Sequence, residues 1–206
     1  METKAQGVKK YITGFKPFDG FLGFNLNLCC PSKNIVKFGR GGAMVRRTIK
    51  TNKLIKIITK ENYPVSIKLS LGLNAVQKAS KVYLDCLKET DVDFYVVQAK
   101  TSAQKSTEEY DYSVFSECVD TGKEIIANGG IDSQKKVNNI KKIGCKGVMV
   151  GRSALLNPAI FNQFKSKKVK SINELKDEYN KLCKLYFEKE KYYSNFLKVQ
   201  KSGKFD

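Results

Sequence analysis

Histidine is missing from the sequence, and so is the cysteine spacing that is typical of metal sites. The lack of histidine excludes a histidine-based triad and histidine metal ligands. Any acid–base role must then fall to cysteine, lysine, tyrosine or a carboxylate. The cysteines form no CxxC pair, which predicts reduced and mostly buried thiols. They are Cys29, Cys30, Cys86, Cys118, Cys145 and Cys183.

Long apolar runs are also lacking. None approaches the roughly 18 residues that a bilayer-spanning helix needs. The first segment, METKAQGVKK, has no apolar core of the kind found in signal peptides. The sequence therefore predicts a cytoplasmic protein without a membrane partner.

Acidic residues are scarce, with 20 Asp and Glu against 38 Lys and Arg and a net charge of +18. Such an excess fits either a polyanionic partner such as RNA or a general bias toward lysine, and charge by itself leaves both open. The stretch from Lys37 to Lys60 contains eight basic residues and no acidic one. That local asymmetry favours contact with a nucleic acid.

Strand-like runs alternate with helical ones along most of the chain. This alternation predicts an α/β fold whose parallel sheet is either an open doubly wound sheet or part of a TIM-type βα-barrel. The glycines do not have the GxGxxG spacing of a dinucleotide fold. The predicted strands are 21–28, 64–72, 93–101, 123–131 and 146–155, and the predicted helices are 43–60, 74–90, 112–122 and 133–144.

The character of the sequence changes after Phe161, where SKKVK resembles a linker. A helix is predicted over 171–200, with Ser171 and Glu174 as a capping box at its start. Apolar residues at helical spacing give that helix a packing face. They are Ile172, Leu175, Tyr179, Leu182, Tyr186 and Tyr193. The predicted domains are therefore 1–161 and a helical extension over 162–206.

Polar residues recur at the carboxyl end of each predicted strand, which is where parallel α/β folds place their active sites. Each residue has an ordinary alternative: a lysine that reaches solvent, a glycine turn or a buried small thiol. Their recurrence at the same end of every strand favours a ligand site. The residues are Asn27, Cys29, Cys30, Lys68, Gln98, Lys100, Asn128, Gly129, Gly130, Gly151 and Arg152.

Two of these strand ends, ANGGI and VGRSAL, combine glycines with an arginine. Glycines let backbone N–H groups approach an anion closely, and Arg152 adds a forked cationic donor. Loops after the last strands of βα-barrels frequently bind phosphate. The pattern predicts a cofactor that bears a phosphate group.

Several motifs resemble those of the tRNA-dihydrouridine synthases. They are NLNLCCPSKNIV, GGAM, VSIKLSLG, TSAQ, IIANGGIDS and GVMVGRSALLNPAIF, and they extend from about Asp19 to Phe161. The helical extension stands where that family has an RNA-binding domain. The resemblance implies an FMN-dependent barrel enzyme that reduces uridine in tRNA with NADPH.

The resemblance also implies roles for individual residues. Cys30 is the acid that protonates C5 of uracil, and Asn27 lies near the substrate base. Lys68 contacts the flavin ring, whereas Cys29 is expected to be a bystander because the family usually has glycine there. Gln98 and Lys100 replace a usual histidine and arginine, and they are assigned to flavin and substrate binding. The FMN-phosphate residues are Asn128, Gly129, Gly130, Gly151 and Arg152.

The predicted strands are too few for a closed barrel, which has eight. An incomplete TIM-type barrel of about five strands leaves open edges, which a homodimer or a second chain would complete. Two other functions stay open at this point. One is a truncated, non-catalytic relic or RNA-binding module, and the other is a flavin barrel of the dihydroorotate dehydrogenase type that acts on a free pyrimidine.

Overall fold

A computed structural model describes residues 5–105, 107–186, 194, 197 and 198. Outside the described residues lie Ser106 and, within the last predicted helix, 187–193 (with Tyr193), 195–196 and 199–200. The strands are β1 (Phe24–Leu28), β2 (Val65–Ser70), β3 (Phe94–Gln98), β4 (Ile125–Asn128) and β5 (Gly147–Met149). The helices are α1 (Ala5–Thr13), α2 (Lys33–Val36), a 3₁₀ helix (Gly41–Met44), α3 (Thr48–Thr59), α4 (Ala75–Ala79), α5 (Val82–Glu89), α6 (Val114–Val119), α7 (Gln134–Ile143), α8 (Arg152–Leu156), α9 (Ile160–Phe164) and α10 (Ile172–Leu185).

The five strands form one parallel sheet in the order β1-β2-β3-β4-β5. Every connection between neighbouring strands contains at least one helix, as parallel pairing requires. Among the described residues, β1 and β5 are therefore the edge strands. The prediction of an α/β fold with five parallel strands, consistent with an incomplete TIM-type barrel, is confirmed.

One face of the sheet is apolar and carries the helices. Because strand residues alternate between faces, Leu26 on β1, Ile67 on β2 and Val97 on β3 point the same way, and all are buried. Helix α3 packs against β2, α6 packs against β4, and α5 contacts both helices. Burial of each such side chain contributes about 1.5–3 kcal/mol, so this layer holds the sheet together.

The opposite face is much more polar. It carries Asn27, Lys68, Gln98 and Asn128, all of which retain partial or full exposure. Asn27 is paired in register with Lys68, and Gln98 is paired with Asn128, so these side chains project from neighbouring strands. In a βα-barrel the helices surround the outside. The polar face therefore corresponds to the barrel interior.

The segment before β1 was given no structure by the sequence patterns, yet it forms α1. Val8 and Ile12, four residues apart, are buried, and α1 packs on α3. Phe15 follows α1 and packs edge-to-face against Phe24 and Tyr63, with ring centroids 5.0 and 5.9 Å apart. These aromatic contacts fix the chain where it enters β1.

The helix predicted over 74–90 is two helices instead of one. Lys81, the N-cap of α5, has a left-handed backbone with φ +55°, and it separates α5 from α4. Asn74 caps α4 by accepting a hydrogen bond from the Gln77 N–H. Val76 on α4 is 75% exposed, so it does not contribute to a packing face. The apolar spacing is the same for one helix and for two short ones, so the pattern does not locate the break.

The strand predicted over 146–155 is correct only at its start. It ends at Met149, and Arg152–Leu156 is helical. The run RSALL consists of residues that are compatible with a helix. Short apolar runs of this kind occur in both strands and helices, so hydrophobicity alone did not distinguish them.

The chain forms two compact units. The first takes in the chain up to Gly129 together with Ile140–Met149, and so contains the whole sheet. The second takes in Gly130–Asn139 and the chain from Val150 onward. In the second unit the predicted capping box is present, because the Ser171 hydroxyl accepts from the Glu174 N–H while the Glu174 carboxylate accepts from the Ser171 N–H. The predicted domain boundary after Phe161 stays a prediction.

The described residues include no helix of the length and apolarity that crossing a membrane requires.

Alkaline pH is expected to destabilise the first unit through its buried thiols. Burial raises the pKa of Cys86 from 9.0 to about 12. The pKa of Cys86 is therefore higher in the folded chain than in the unfolded chain. Its contribution to the free energy of unfolding is complete below pH 9 and is lost as the pH rises toward 12. Urea unfolding at a series of pH values in that range measures the loss. Cys86→Ala should make it smaller than in the unmodified chain, and an unchanged pH dependence would contradict this account.

Candidate functional site

A chain of side-chain contacts crosses three strands on the polar face. The Lys68 Nζ donates to the Cys29 Sγ at 2.8 Å and to the Gln98 Oε1 at 3.1 Å. The Asn27 Oδ1 accepts from the Cys29 thiol at 3.0 Å and from the Cys29 backbone N–H at 3.2 Å. Asn27, Lys68 and Gln98 were predicted to lie at one rim, and the structure places them together. It adds Cys29, which was expected to be a bystander.

Cys30 is held by the glycine pair of the GGAM motif. Its carbonyl oxygen accepts a hydrogen bond of 3.0 Å from the Gly42 N–H. A Cβ atom on Gly41 would lie 2.8 Å from that oxygen and 3.0 Å from the Cys30 Cβ, and Gly41 has φ +55°. Only glycine fits such an approach, so the motif fixes the backbone at the thiol. Cys30 is half-buried, and Cys29 is 8% exposed.

Lys100 lies two residues beyond the end of β3 and is 2% exposed. Its Nζ donates to the Lys105 carbonyl oxygen at 2.9 Å and lies 4.0 Å from the centre of the Tyr110 ring. A buried ammonium needs such partners, because its desolvation is otherwise costly. The role of Lys100 in substrate binding stays a prediction.

The end of β4 is braced by two tyrosines. The Asn128 Nδ2 donates to the Met149 carbonyl oxygen at 2.9 Å, and the Tyr112 hydroxyl donates to the Gly129 carbonyl oxygen at 2.6 Å. Gly129 has φ +125°, and a Cβ atom there would lie 2.4 Å from the Tyr110 ring. This strand end therefore depends on glycine. Asn128 and Gly129 belong to the first unit.

Gly130, Gly151 and Arg152 belong to the second unit. The Gly130 carbonyl oxygen accepts from the Lys136 Nζ at 2.8 Å, and Gly130 has φ +58°. A Cβ atom on Gly151 would meet no other atom within 4 Å, so close packing is not the reason for glycine at this position. Arg152 is exposed. These residues stay predicted phosphate ligands.

The sequence patterns indicated no role for Gly41, Gly42, Tyr110 or Tyr112, and Cys29 was predicted to be a bystander. Gly41 and Gly42 had a usable signal, because adjacent glycines before a basic helix indicate a close backbone approach. The tyrosines had none. Their contacts join a loop to a strand end that is distant in sequence, and periodicity does not report such contacts.

The model of the dihydrouridine synthase family matches residues 18–204, which is nearly the whole chain. The chain belongs to the dihydrouridine synthase family. The roles that the resemblance implies for Asn27, Cys30 and Lys68 in this member of the family stay predictions.

Curated relatives agree with the family assignment. The chain is 29% identical to the Probable tRNA-dihydrouridine synthase of Helicobacter pylori strain 26695, over 82% of this chain and 52% of that protein. It is 28% identical to Probable tRNA-dihydrouridine synthase 2 of Bacillus subtilis, over 84% of this chain and 54% of that protein. It is 24% identical to a Xenopus tropicalis protein whose name includes tRNA-dihydrouridine(47) synthase and NAD(P)(+), over 70% of this chain and 23% of that protein. The chain spans about half the length of the bacterial relatives.

Proposed function

We propose that this chain takes part in the FMN-dependent reduction of uridine to dihydrouridine in tRNA, with NADPH as the reductant. The observation that carries the proposal is the shared polar rim next to Cys30, where Lys68 donates to Gln98 and to the Cys29 thiol, and that thiol donates to Asn27. The family assignment and the names of the relatives support the substrate.

Cys30 is the proton donor in this proposal. Reduction adds one hydrogen to each carbon of the uracil C5–C6 bond, and the charge that develops at C5 requires an acid over that carbon. A cysteine thiol is mostly protonated at neutral pH and can donate. The fixed backbone at Cys30, with Gly42 bonded to its carbonyl oxygen, restricts the directions in which the thiol can point. Asn27 is exposed on the same strand end and is available to orient the base.

The polar face fits a flavin, because it offers a half-buried lysine and two amides between flanking strands. In the proposal Lys68 and Gln98 hold the ring system, and Asn128 and Gly129 contribute at the end of β4. FMN, when bound and reduced, supplies the hydride for C6 of the uracil. The positive charge of Lys68 favours an electron-rich ring beside it.

Arg152→Ala is expected to weaken FMN binding by about 10- to 150-fold, because a charge-assisted hydrogen bond contributes about 1.5–3 kcal/mol. Titration that follows flavin fluorescence measures the change. Cys30→Ala is the matched control and should bind FMN as the unmodified chain does. Equal flavin retention in both variants would contradict the assignment of the phosphate site to Arg152, Gly130 and Gly151.

The basic stretch is the proposed contact surface for tRNA. Exposed cations on and beside α3 are Arg46, Arg47, Lys53, Lys56 and Lys60. Binding through such residues falls steeply as the salt concentration rises. The cytoplasm is the proposed compartment.

The five-stranded sheet supplies part of a barrel, whose remaining wall would come from further strands. A homodimer or a second chain that completes the barrel stays a prediction. Sedimentation at several protein concentrations, with and without FMN, tests it. A single monomeric species that binds FMN would contradict it.

The decisive experiment combines a flavin absorbance spectrum with dihydrouridine analysis of unmodified tRNA after incubation with the protein and NADPH. Bound flavin together with new dihydrouridine supports the proposal. Salt-sensitive tRNA binding without flavin would instead indicate an RNA-binding module. Reduction of a free pyrimidine, with no effect of tRNA, would indicate an enzyme of the dihydroorotate dehydrogenase type.

A further inference from the structure

We propose that Cys29 and Lys68 form a covalent sulfur–nitrogen cross-link when the protein is exposed to hydrogen peroxide. Cys29 links Asn27 to Lys68 at the rim but is assigned no chemical step in the proposed reduction of uridine. The proposed cross-link does not require that the chain bind flavin or tRNA.

The geometry brings the two reacting atoms into contact. The Cys29 Sγ lies 2.8 Å from the Lys68 Nζ, although the residues are 39 positions apart in sequence. Their strands are hydrogen-bonded neighbours, and Asn27, which precedes Cys29 by two residues, is paired in register with Lys68. The contact is therefore built by the sheet.

Additional contacts hold each partner in place. The Asn27 Oδ1 accepts from both the Cys29 thiol and the Cys29 backbone N–H, which fixes the orientation of the side chain. The Gln98 Oε1 accepts from the Lys68 Nζ at 3.1 Å. The lysine nitrogen is therefore fixed by two hydrogen bonds, one to Gln98 on β3 and one to Cys29. Two reactants that are held in contact react as if at a very high local concentration.

The proposed reaction has two steps. Hydrogen peroxide oxidises the Cys29 thiol to a sulfenic acid, its O–O bond breaks, and one water is released. The Lys68 nitrogen, after losing a proton to solvent, attacks the sulfur. The S–O bond breaks, the oxygen leaves as a second water, and a sulfenamide S–N bond remains. Sulfur is oxidised by two electrons, peroxide is reduced by the same two electrons, and the protein loses two hydrogen atoms.

Cys30 provides the internal comparison. It is adjacent in sequence and more exposed than Cys29, so peroxide reaches it at least as easily. A disulfide between Cys29 and Cys30 would give the same loss of two hydrogens. The two products differ in which residues they need, because the cross-link requires Lys68 and the disulfide requires Cys30.

The test treats the full chain with hydrogen peroxide, blocks remaining thiols, and digests it with trypsin for mass spectrometry. The expected product joins the peptide that ends at Lys33 to the peptide that spans Glu61 to Lys78, since trypsin does not cleave after a modified lysine. Its mass is the sum of the two peptides less two hydrogens. Dithiothreitol should separate them, because a thiol attacks the sulfur and releases the amine.

Three variants decide the outcome. Cys30→Ser should still form the cross-linked peptide, whereas Cys29→Ser and Lys68→Arg should not, with circular dichroism to verify that each variant folds. Two results together would identify a disulfide between Cys29 and Cys30 and overturn the proposal. They are the absence of the joined peptide in Cys30→Ser and a loss of two hydrogens that persists in Lys68→Arg. A joined peptide that carries an additional oxygen, or oxidation of Cys29 to a sulfinic acid without joining, would also overturn it. A protein that forms the cross-link but makes no dihydrouridine would refute only the proposed function.

Discussion

Replacement of Cys30 by alanine is expected to slow dihydrouridine formation by about 10²- to 10⁴-fold, the range that a positioned general acid contributes. Alanine removes the proton donor but leaves the backbone, so the hydrogen bond from the Gly42 N–H to the Cys30 carbonyl oxygen should remain. The loss should therefore fall on the chemical step, with FMN binding unchanged. Single-turnover measurement of dihydrouridine in tRNA, with the flavin reduced beforehand, separates the two effects.

Cys145→Ala is the matched control for this experiment. Cys145 is 7% exposed just before β5, and burial raises the pKa of its thiol to about 11. Cys145 makes no contact with the rim residues Asn27, Lys68 and Gln98 that the structure gives, and its removal should leave the single-turnover rate close to that of the unmodified chain. A Cys30→Ala variant that retains the full rate would show that another group protonates C5. Equal losses in both variants would indicate damage to the fold instead of loss of an acid.

Ile67→Ala is expected to lower the free energy of unfolding by about 2–5 kcal/mol. Ile67 lies on β2, between β1 and β3, and its side chain is fully buried on the helix-covered face. Its truncation leaves a cavity that the paired strands on both sides cannot easily close. Since small domains have only about 5–15 kcal/mol of stability in total, the variant should lose a large share. Urea unfolding followed by circular dichroism measures the change.

Ile49→Ala makes the same chemical change at a site without packing. Ile49 lies on α3 and is 76% exposed. Its replacement should shift the free energy of unfolding by no more than about 0.5 kcal/mol. Similar losses in the two variants would mean that the buried layer on β2 does not control stability. They would also contradict the exposed position of Ile49 on α3.

The strand ends were predictable because the sheet is parallel. Asn27, Lys68 and Gln98 each stand near the carboxyl end of an apolar run, and parallel pairing brings such ends to one edge. The break at Lys81 was not predictable, because apolar spacing is preserved across it. The contact of the Cys29 thiol with Lys68 was not predictable either, because it depends on the pairing of β1 with β2.

The sequence by itself determined the α/β class, the five parallel strands of the sheet and the family resemblance. These follow from local periodicity and short motifs, which need no long-range contact. Only the tertiary structure decided that the Cys29 thiol meets Lys68, that Lys100 is buried under Tyr110, and that glycines seat Cys30. Each of these is a contact between atoms whose distance depends on register, backbone torsion and packing, and none of the three can be read from the order of residues.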